Sequence, residues 1–188
     1  MFVRYLVIAI VFGLLGTVIE SVGMSVRKKR VVYVGDRFFY NLPVKPIYAL
    51  GGLILLVVIK TMDGMPWYAA IILATLAVTV WEYFGGWFCM TVLGGRLWNY
   101  TPRGRHLHGH ISLWSIKWWF ALVTIFYFFI FNWFARLEST LEESVTVSKH
   151  LDFTLMIIFL AVMVLLTVMR RGTKESWVMN PPLGAGDV

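Results

Sequence analysis

Apolar residues run through this chain in long, nearly unbroken stretches, and the polar residues collect between them. Neither the alternation of a half-buried strand nor the one-sided stripe of a soluble helix describes such runs. A helix needs about 20 apolar residues to cross the hydrocarbon of a bilayer. Five runs approach that length: about Phe2 to Met24, Pro46 to Lys60, Trp67 to Gly94, Ile111 to Ala135 and Asp152 to Met169. The pattern predicts an all-α, polytopic membrane bundle of about five helices, with one transmembrane domain over residues 1–169. Residues 170–188, rich in Pro and Gly at the end, read as a disordered cytoplasmic tail.

Composition agrees with the runs. Of 188 residues 59% are hydrophobic and 14% charged, with a mean hydropathy of +0.75, against about 45–50% and about 25% in soluble domains. A soluble enzyme, a disordered chain and a disulfide scaffold are excluded, the last because Cys89 is the single cysteine. The net charge of +7 would suggest nucleic acid in a soluble protein, but here it sorts by segment. Arg27, Lys28, Lys29, Arg30, Arg37 and Lys45 follow the first run, Arg96, Arg103 and Arg105 the third, and Arg170, Arg171 and Lys174 the fifth. The alternate segments are acidic or mixed, so the positive-inside rule predicts an outside N-terminus and a cytoplasmic C-terminus. No nucleic-acid partner is expected. The basic stretch Arg27 to Arg30 reads as a stop-transfer flank, so the first run is expected to be a retained span.

The two halves resemble each other. Thr17-Val18-Ile19-Glu20 precedes Arg37 and then Pro43; Thr79-Val80-Trp81-Glu82 precedes Arg96 and then Pro102. Both units start on the same side, which predicts a parallel two-fold repeat over 13–60 and 75–135, with 152–169 as an added fifth helix.

Glu20 and Glu82 carry the strongest chemical signal. Each lies deep in its run, where an ionisable side chain must face protein or water and by default marks function. Glycines stand beside both, Gly13 and Gly16 before Glu20, Gly85 and Gly86 after Glu82, and allow close backbone approach. The pair is a candidate proton carrier or general acid, the alternative being simple pairing with Arg37 or Arg96. Arg96, Trp98, Asn99 and Tyr100 follow the third run, where a guanidinium beside aromatic rings suits a lipid headgroup or an amphiphilic anion. Trp81, His108 and Trp114 complete the candidate substrate-binding set. Three histidines, His106, His108 and His110, would face one side of an extended backbone, as an open zinc site requires. With no carboxylate near them and a cationic loop around them, no metal is assigned there, and the segment is expected to be a polar re-entry loop. No nucleotide, dinucleotide or metalloprotease motif is present, so no cofactor is expected and any nucleotide would be bound by another chain.

The strings Trp81-Glu82-Tyr83-Phe84-Gly85-Gly86, Arg96-Leu97-Trp98-Asn99-Tyr100 and Gly109-His110-Ile111-Ser112-Leu113-Trp114-Ser115, with Trp118, resemble the "putative ABC-transporter type IV" family of small, CmpB-like integral membrane proteins of bacteria and animals. Glu20 and Pro46-Ile47-Tyr48-Ala49-Leu50-Gly51-Gly52 fit the same pattern, and the likeness covers about Gly13 to Trp119. Two positions differ: the family pattern has Asp at Asn99 and Asn at His108. The resemblance implies a permease-like or accessory transport component of a membrane such as the bacterial inner (plasma) membrane. Membrane lipid, a separate ATPase or other membrane subunit, and a second copy of the chain are its expected partners. Two other functions fit the residues: an intramembrane enzyme in which a Glu in an aromatic pocket protonates a lipid or isoprenoid, and a structural or regulatory subunit in which the glutamates pair with loop arginines.

Overall fold

The computed structural model describes residues 2–36, 43–144 and 149–171. All five apolar runs are helical. Helix α1 covers Phe2–Lys28, α2 Pro46–Thr61 and α3 Trp67–Phe88, the last extended by a wide turn over Cys89–Leu93. A short hairpin, β1 (His106–Leu107) against β2 (Ile111–Ser112), leads into α4 (Leu113–Ile125). A second wide turn, Phe126–Ile130, joins α4 to α5 (Phe131–Ser144), and α6 spans Lys149–Arg171. Three of the rods, Phe2–Lys28, Trp67–Leu93 and Leu113–Glu143, are long and apolar enough to cross a membrane, and Pro46–Thr61 and His150–Leu166 are shorter apolar helices. The molecule is therefore an all-α integral membrane protein. Arg37 and the segment from residue 172 onward, which includes Lys174 and most of the expected tail, lie outside the described residues.

The chain clusters into two compact units, Met1–Leu53 with Asn132–Leu166, and Ile54–Phe131 with Thr167–Val188. In the first, α1 buries one stripe: Ile8, Ala9, Phe12, Gly13, Gly16 and Thr17. The small residues in that stripe make room for α2 and the residues before it. A β-carbon on Gly13 would lie 2.6 Å from Val44 Cγ1, and one on Gly16 would enter the Tyr48 ring. Phe12 in turn lies over Gly52 and stacks on Phe134, with ring centroids 4.0 Å apart and planes 4° from parallel. The Thr17 hydroxyl reaches the carbonyls of Gly13 and Pro43, fixing the chain that enters α2.

The acidic segment expected between spans is helix instead. It contains neither Gly nor Pro, and Ala135, Arg136, Leu137, Glu138, Leu141 and Glu142 are good helix formers. Apolar and charged residues segregate around the helix, so α5 continues for nine residues past Ala135. Its inner face brings Glu138, buried, to Arg4 and Tyr5. Glu142 takes a 2.7 Å ion pair from the same guanidinium. Asp152, in the first turn of α6, accepts the free N–H groups of Phe2 and Val3 at 2.7 and 2.9 Å. A remote carboxylate thus caps α1, at the end where the helix dipole favours negative charge.

Because the glycine contact with Tyr48 leaves no void, Gly16→Leu should destabilise the first unit by about 1–3 kcal/mol. Thermal unfolding in detergent, read against Gly23→Leu, where nothing lies within 4 Å of an added β-carbon, measures it.

Candidate functional site

The buried stripe of α3 advances one turn at a time: Ala70, Ala74, Val78, Glu82 and Gly86. Glu82 thus occupies a core position, 5% exposed, in a row otherwise made of small or apolar residues. The buried threonine hydroxyls of the helix, those of Thr75 and Thr79, donate to the carbonyls of Ile71 and Thr75 one turn back and ask nothing of their surroundings. Glu82 is different, because it reaches across to the segment between α3 and α4. Tyr100 Oη donates to Glu82 Oε1 at 2.8 Å, and the Ser115 hydroxyl and Trp119 indole of α4 face the same carboxyl. Oε2 is buried and has no hydrogen-bond partner among the described residues.

Local sequence explains how that segment folds back. The wide turn after α3 stops at Gly94, whose φ of +74° ends the helix in the left-handed region. Pro102 sits in the single 3₁₀ turn Thr101–Arg103. The expected re-entry loop is instead a hairpin. His110 N–H closes the turn on Leu107 O at 3.0 Å, with φ of +52° at His108 and +72° at Gly109. Positive φ at both central residues is the signature of a type I′ turn, whose twist matches that of paired strands. With φ of +52° at His108 the backbone is not extended, so the condition under which His106, His108 and His110 would all face one side is not met. His106 Nδ1 accepts Gly109 N–H, His108 Nδ1 shares a hydrogen bond with Tyr83 Oη at 2.9 Å, and His110 is buried against α3. Among the described residues no three His, Cys, Asp or Glu side chains are placed to hold a metal ion.

The hairpin is fixed on α3 at Gly86. An added β-carbon there would lie 2.8 Å from His110 Nδ1, so the imidazole rests on bare backbone. The Trp98 indole donates to His110 O at 2.9 Å. Arg96 does not meet Glu82. Its Nη1 donates to Asn99 Oδ1 at 3.0 Å, and the same oxygen accepts the Thr101 N–H (3.0 Å) and hydroxyl (2.6 Å). Gly109 lies directly over this cluster: a β-carbon would fall 2.6 Å from Arg96 Nη1 and 2.8 Å from Asn99 Oδ1. Ser112 then starts α4 with a reciprocal capping box, its hydroxyl accepting Ser115 N–H and its own N–H donating to Ser115 Oγ.

Of the residues singled out in the sequence, Glu82, Arg96, Trp98, Asn99, Tyr100 and His108 are joined in this one assembly. Trp114 lies at its edge, 6.3 Å from the Tyr100 ring, and Trp81 pairs with Phe84 along α3. Glu20 belongs to the first unit, where Lys45 is its ionic partner among the described residues; Arg37, expected as a partner, lies outside them. Tyr83, His110, Ser115 and Trp119 join the site without having been assigned to it from sequence. Their signal was spacing: Ser115 and Trp119 are one turn apart on α4, and Ser112-x-x-Ser115 is a cap pattern.

Burial, with Arg96 and then His108 adding repulsion, holds the His110 imidazole below its usual range. Above about pH 6.5 the ring is neutral in both folded and unfolded chains. As pH falls below that value the unfolded chain takes up a proton that the folded hairpin resists, so stability is lost on the acid side. Hydrogen exchange of residues 96–112, corrected for intrinsic rate, should therefore speed up between pH 7.5 and 5.5, and His110→Asn should flatten the change. Separately, Gly109→Ala should cost about 1–3 kcal/mol through its positive φ and the crowded guanidinium, measured as a fall in melting temperature.

A family model described as "Putative ABC-transporter type IV" matches residues 7–170. No curated protein and no solved structure matches the chain. With the match running through the α3 carboxylate, the hairpin and every apolar helix, the chain belongs to this family, described as "Putative ABC-transporter type IV".

Proposed function

We propose that the chain is a permease-like or accessory component of an ABC-type transport system for an amphiphilic or anionic substrate, with Glu82 as its gating or proton-carrying carboxylate. One observation carries this reading: a glutamate buried in the core stripe of a membrane helix, with one oxygen held by Tyr100 and the other without a hydrogen bond among the described residues. A carboxyl so placed has capacity left for a proton or an incoming donor group. It also holds by a single hydroxyl the segment that closes over it. Loading Oε2 would change the strength of the Tyr100 bond, and with it the hold on the hairpin. Arg96, half-buried beside this segment, is the anion anchor of the reading.

Glu20, paired with Lys45, is the corresponding acid of the first half. A parallel repeat is supported by one glutamate on a long apolar helix of each compact unit, each meeting the segment that precedes a later helix. The chain has no nucleotide-binding motif, so an ATPase would be a separate subunit. It would meet the basic segments on the cytoplasmic side of a bacterial inner membrane, and a second copy of the chain would widen so small a pathway.

Proteoliposomes loaded with a pH-sensitive dye and offered a panel of organic anions test the gate. Glu82→Gln should abolish proton-linked uptake while the anion still raises the melting temperature. Tyr100→Phe, which frees the loop but keeps the acid, should leave uptake leaky and speed hydrogen exchange of residues 96–112 roughly 10-fold or more. Conversion of an added lipid that stops with Glu82→Gln, without flux, would favour the intramembrane enzyme and sink the gate. Loss of folded protein in both variants, with no anion responding in the wild type, would leave the glutamates architectural.

A further inference from the structure

Between Glu82 and Arg136 the chain contains no acidic residue, yet it carries Arg96, Arg103, Arg105 and Lys117. Arg96 is taken by Asn99. The other three are exposed, and none forms an ion pair among the described residues. They gather where the second unit enters its membrane helix. The Arg103 guanidinium lies 3.7 Å from the centre of the Trp114 ring, Leu113 N–H donates to Arg105 O, and Lys117 stands one turn beyond Trp114 on α4. Trp118 completes the surface, edge-on to Trp114 at 5.7 Å. These two indoles are 43% and 55% exposed, which in water would be costly and at a bilayer surface is where indoles belong.

We propose that Arg103, Trp114, Lys117 and Trp118 form a binding site for the headgroup phosphate of an anionic phospholipid. A guanidinium held over an indole can turn its N–H groups to a phosphate oxygen and loses little freedom on binding. Lys117 supplies a second charge one turn away, and the two rings offer an apolar face to the glycerol and the first methylenes of an acyl chain. The surface is cationic, uncompensated and at the start of the rod Leu113–Glu143, which is long and apolar enough to span. Charge complementarity alone would also admit an acidic protein; the exposed indoles beside the cations are what favour lipid. The site is separate from Glu82 and stands whether or not that carboxylate gates anything.

The test is lipid retention. The full chain is purified in a mild detergent, offered equal phosphatidylglycerol and phosphatidylcholine, and examined by native mass spectrometry and thermal unfolding. Wild type should retain phosphatidylglycerol preferentially and melt higher with it. Arg103→Gln with Lys117→Gln should weaken that retention roughly 10-fold or more, leaving phosphatidylcholine unchanged. Lys28→Gln with Lys29→Gln, which removes the same charge elsewhere, should keep it. Equal retention of the two lipids by wild type, or equal loss in both double variants, would overturn the proposal, as would displacement of the lipid by millimolar inorganic phosphate. Arg103→Lys guards against misfolding: it keeps the charge but lacks the planar fork, so it should melt as wild type does in phosphatidylcholine and retain phosphatidylglycerol in between. A variant that retains the lipid fully would remove Arg103's stacking from the site.

Discussion

The second unit depends on the hydrogen bond from Tyr100 to Glu82. A carboxyl in the core stripe of a membrane helix has no water to turn to, and leaving it without a partner costs several kcal/mol. Tyr100 can reach it only if the chain leaving α3 doubles back over the same helix. The turn at Gly94, the 3₁₀ turn at Pro102 and the hairpin at His108 and Gly109 are the means by which it does so. Gly86 is small for the same reason, since His110 must rest against α3 at the level where the returning chain meets it. Local propensity, turn chemistry and the buried polar group therefore ask for one conformation, the agreement expected of a well-specified fold.

The first unit treats its acid differently. Glu20, with 36% of its side chain exposed, takes a full ionic partner, Lys45, whose own side chain is almost buried. A lysine neutralises the acid, whereas a tyrosine only shares a hydrogen with it. The two glutamates share a motif, Thr-Val-x-Glu, but not an environment. The threonines differ as well: Thr17 ties α1 to Pro43, while Thr79 bonds within its own helix.

Much of the architecture was legible because lipid makes a crude demand. Hydrophobic runs of helical length and the sorting of Arg and Lys among the segments identify a membrane bundle, and depth in a run identifies Glu20 and Glu82. What sequence left obscure depends on pairing over distance. The acidic stretch after Ala135 read as a segment between spans; in the structure Glu138 and Glu142 meet Arg4, more than 130 residues earlier in the chain. The His106–His110 segment read as irregular because two-residue strands give no periodicity. Its turn was nonetheless visible, since His-Gly can occupy the positive-φ pair that Asn-Gly usually fills.

The two departures from the family pattern then acquire separate physical meanings. At His108 the requirement is backbone: a side chain tolerant of φ near +52°, which asparagine meets more readily and histidine accepts while adding a hydrogen bond to Tyr83. At Asn99 the requirement is an oxygen that accepts three donors, from Arg96 and twice from Thr101. A carboxylate could accept all three and would neutralise Arg96 besides. An amide accepts the same hydrogen bonds and leaves the guanidinium's charge uncancelled. Asn99 therefore holds the loop by the hydrogen bonds a carboxylate could also accept, and leaves this segment more cationic than an Asp there would. In a stretch of over 50 residues without an acid, that uncancelled charge adds to those of Arg103, Arg105 and Lys117, and the surface that results is suited to anions.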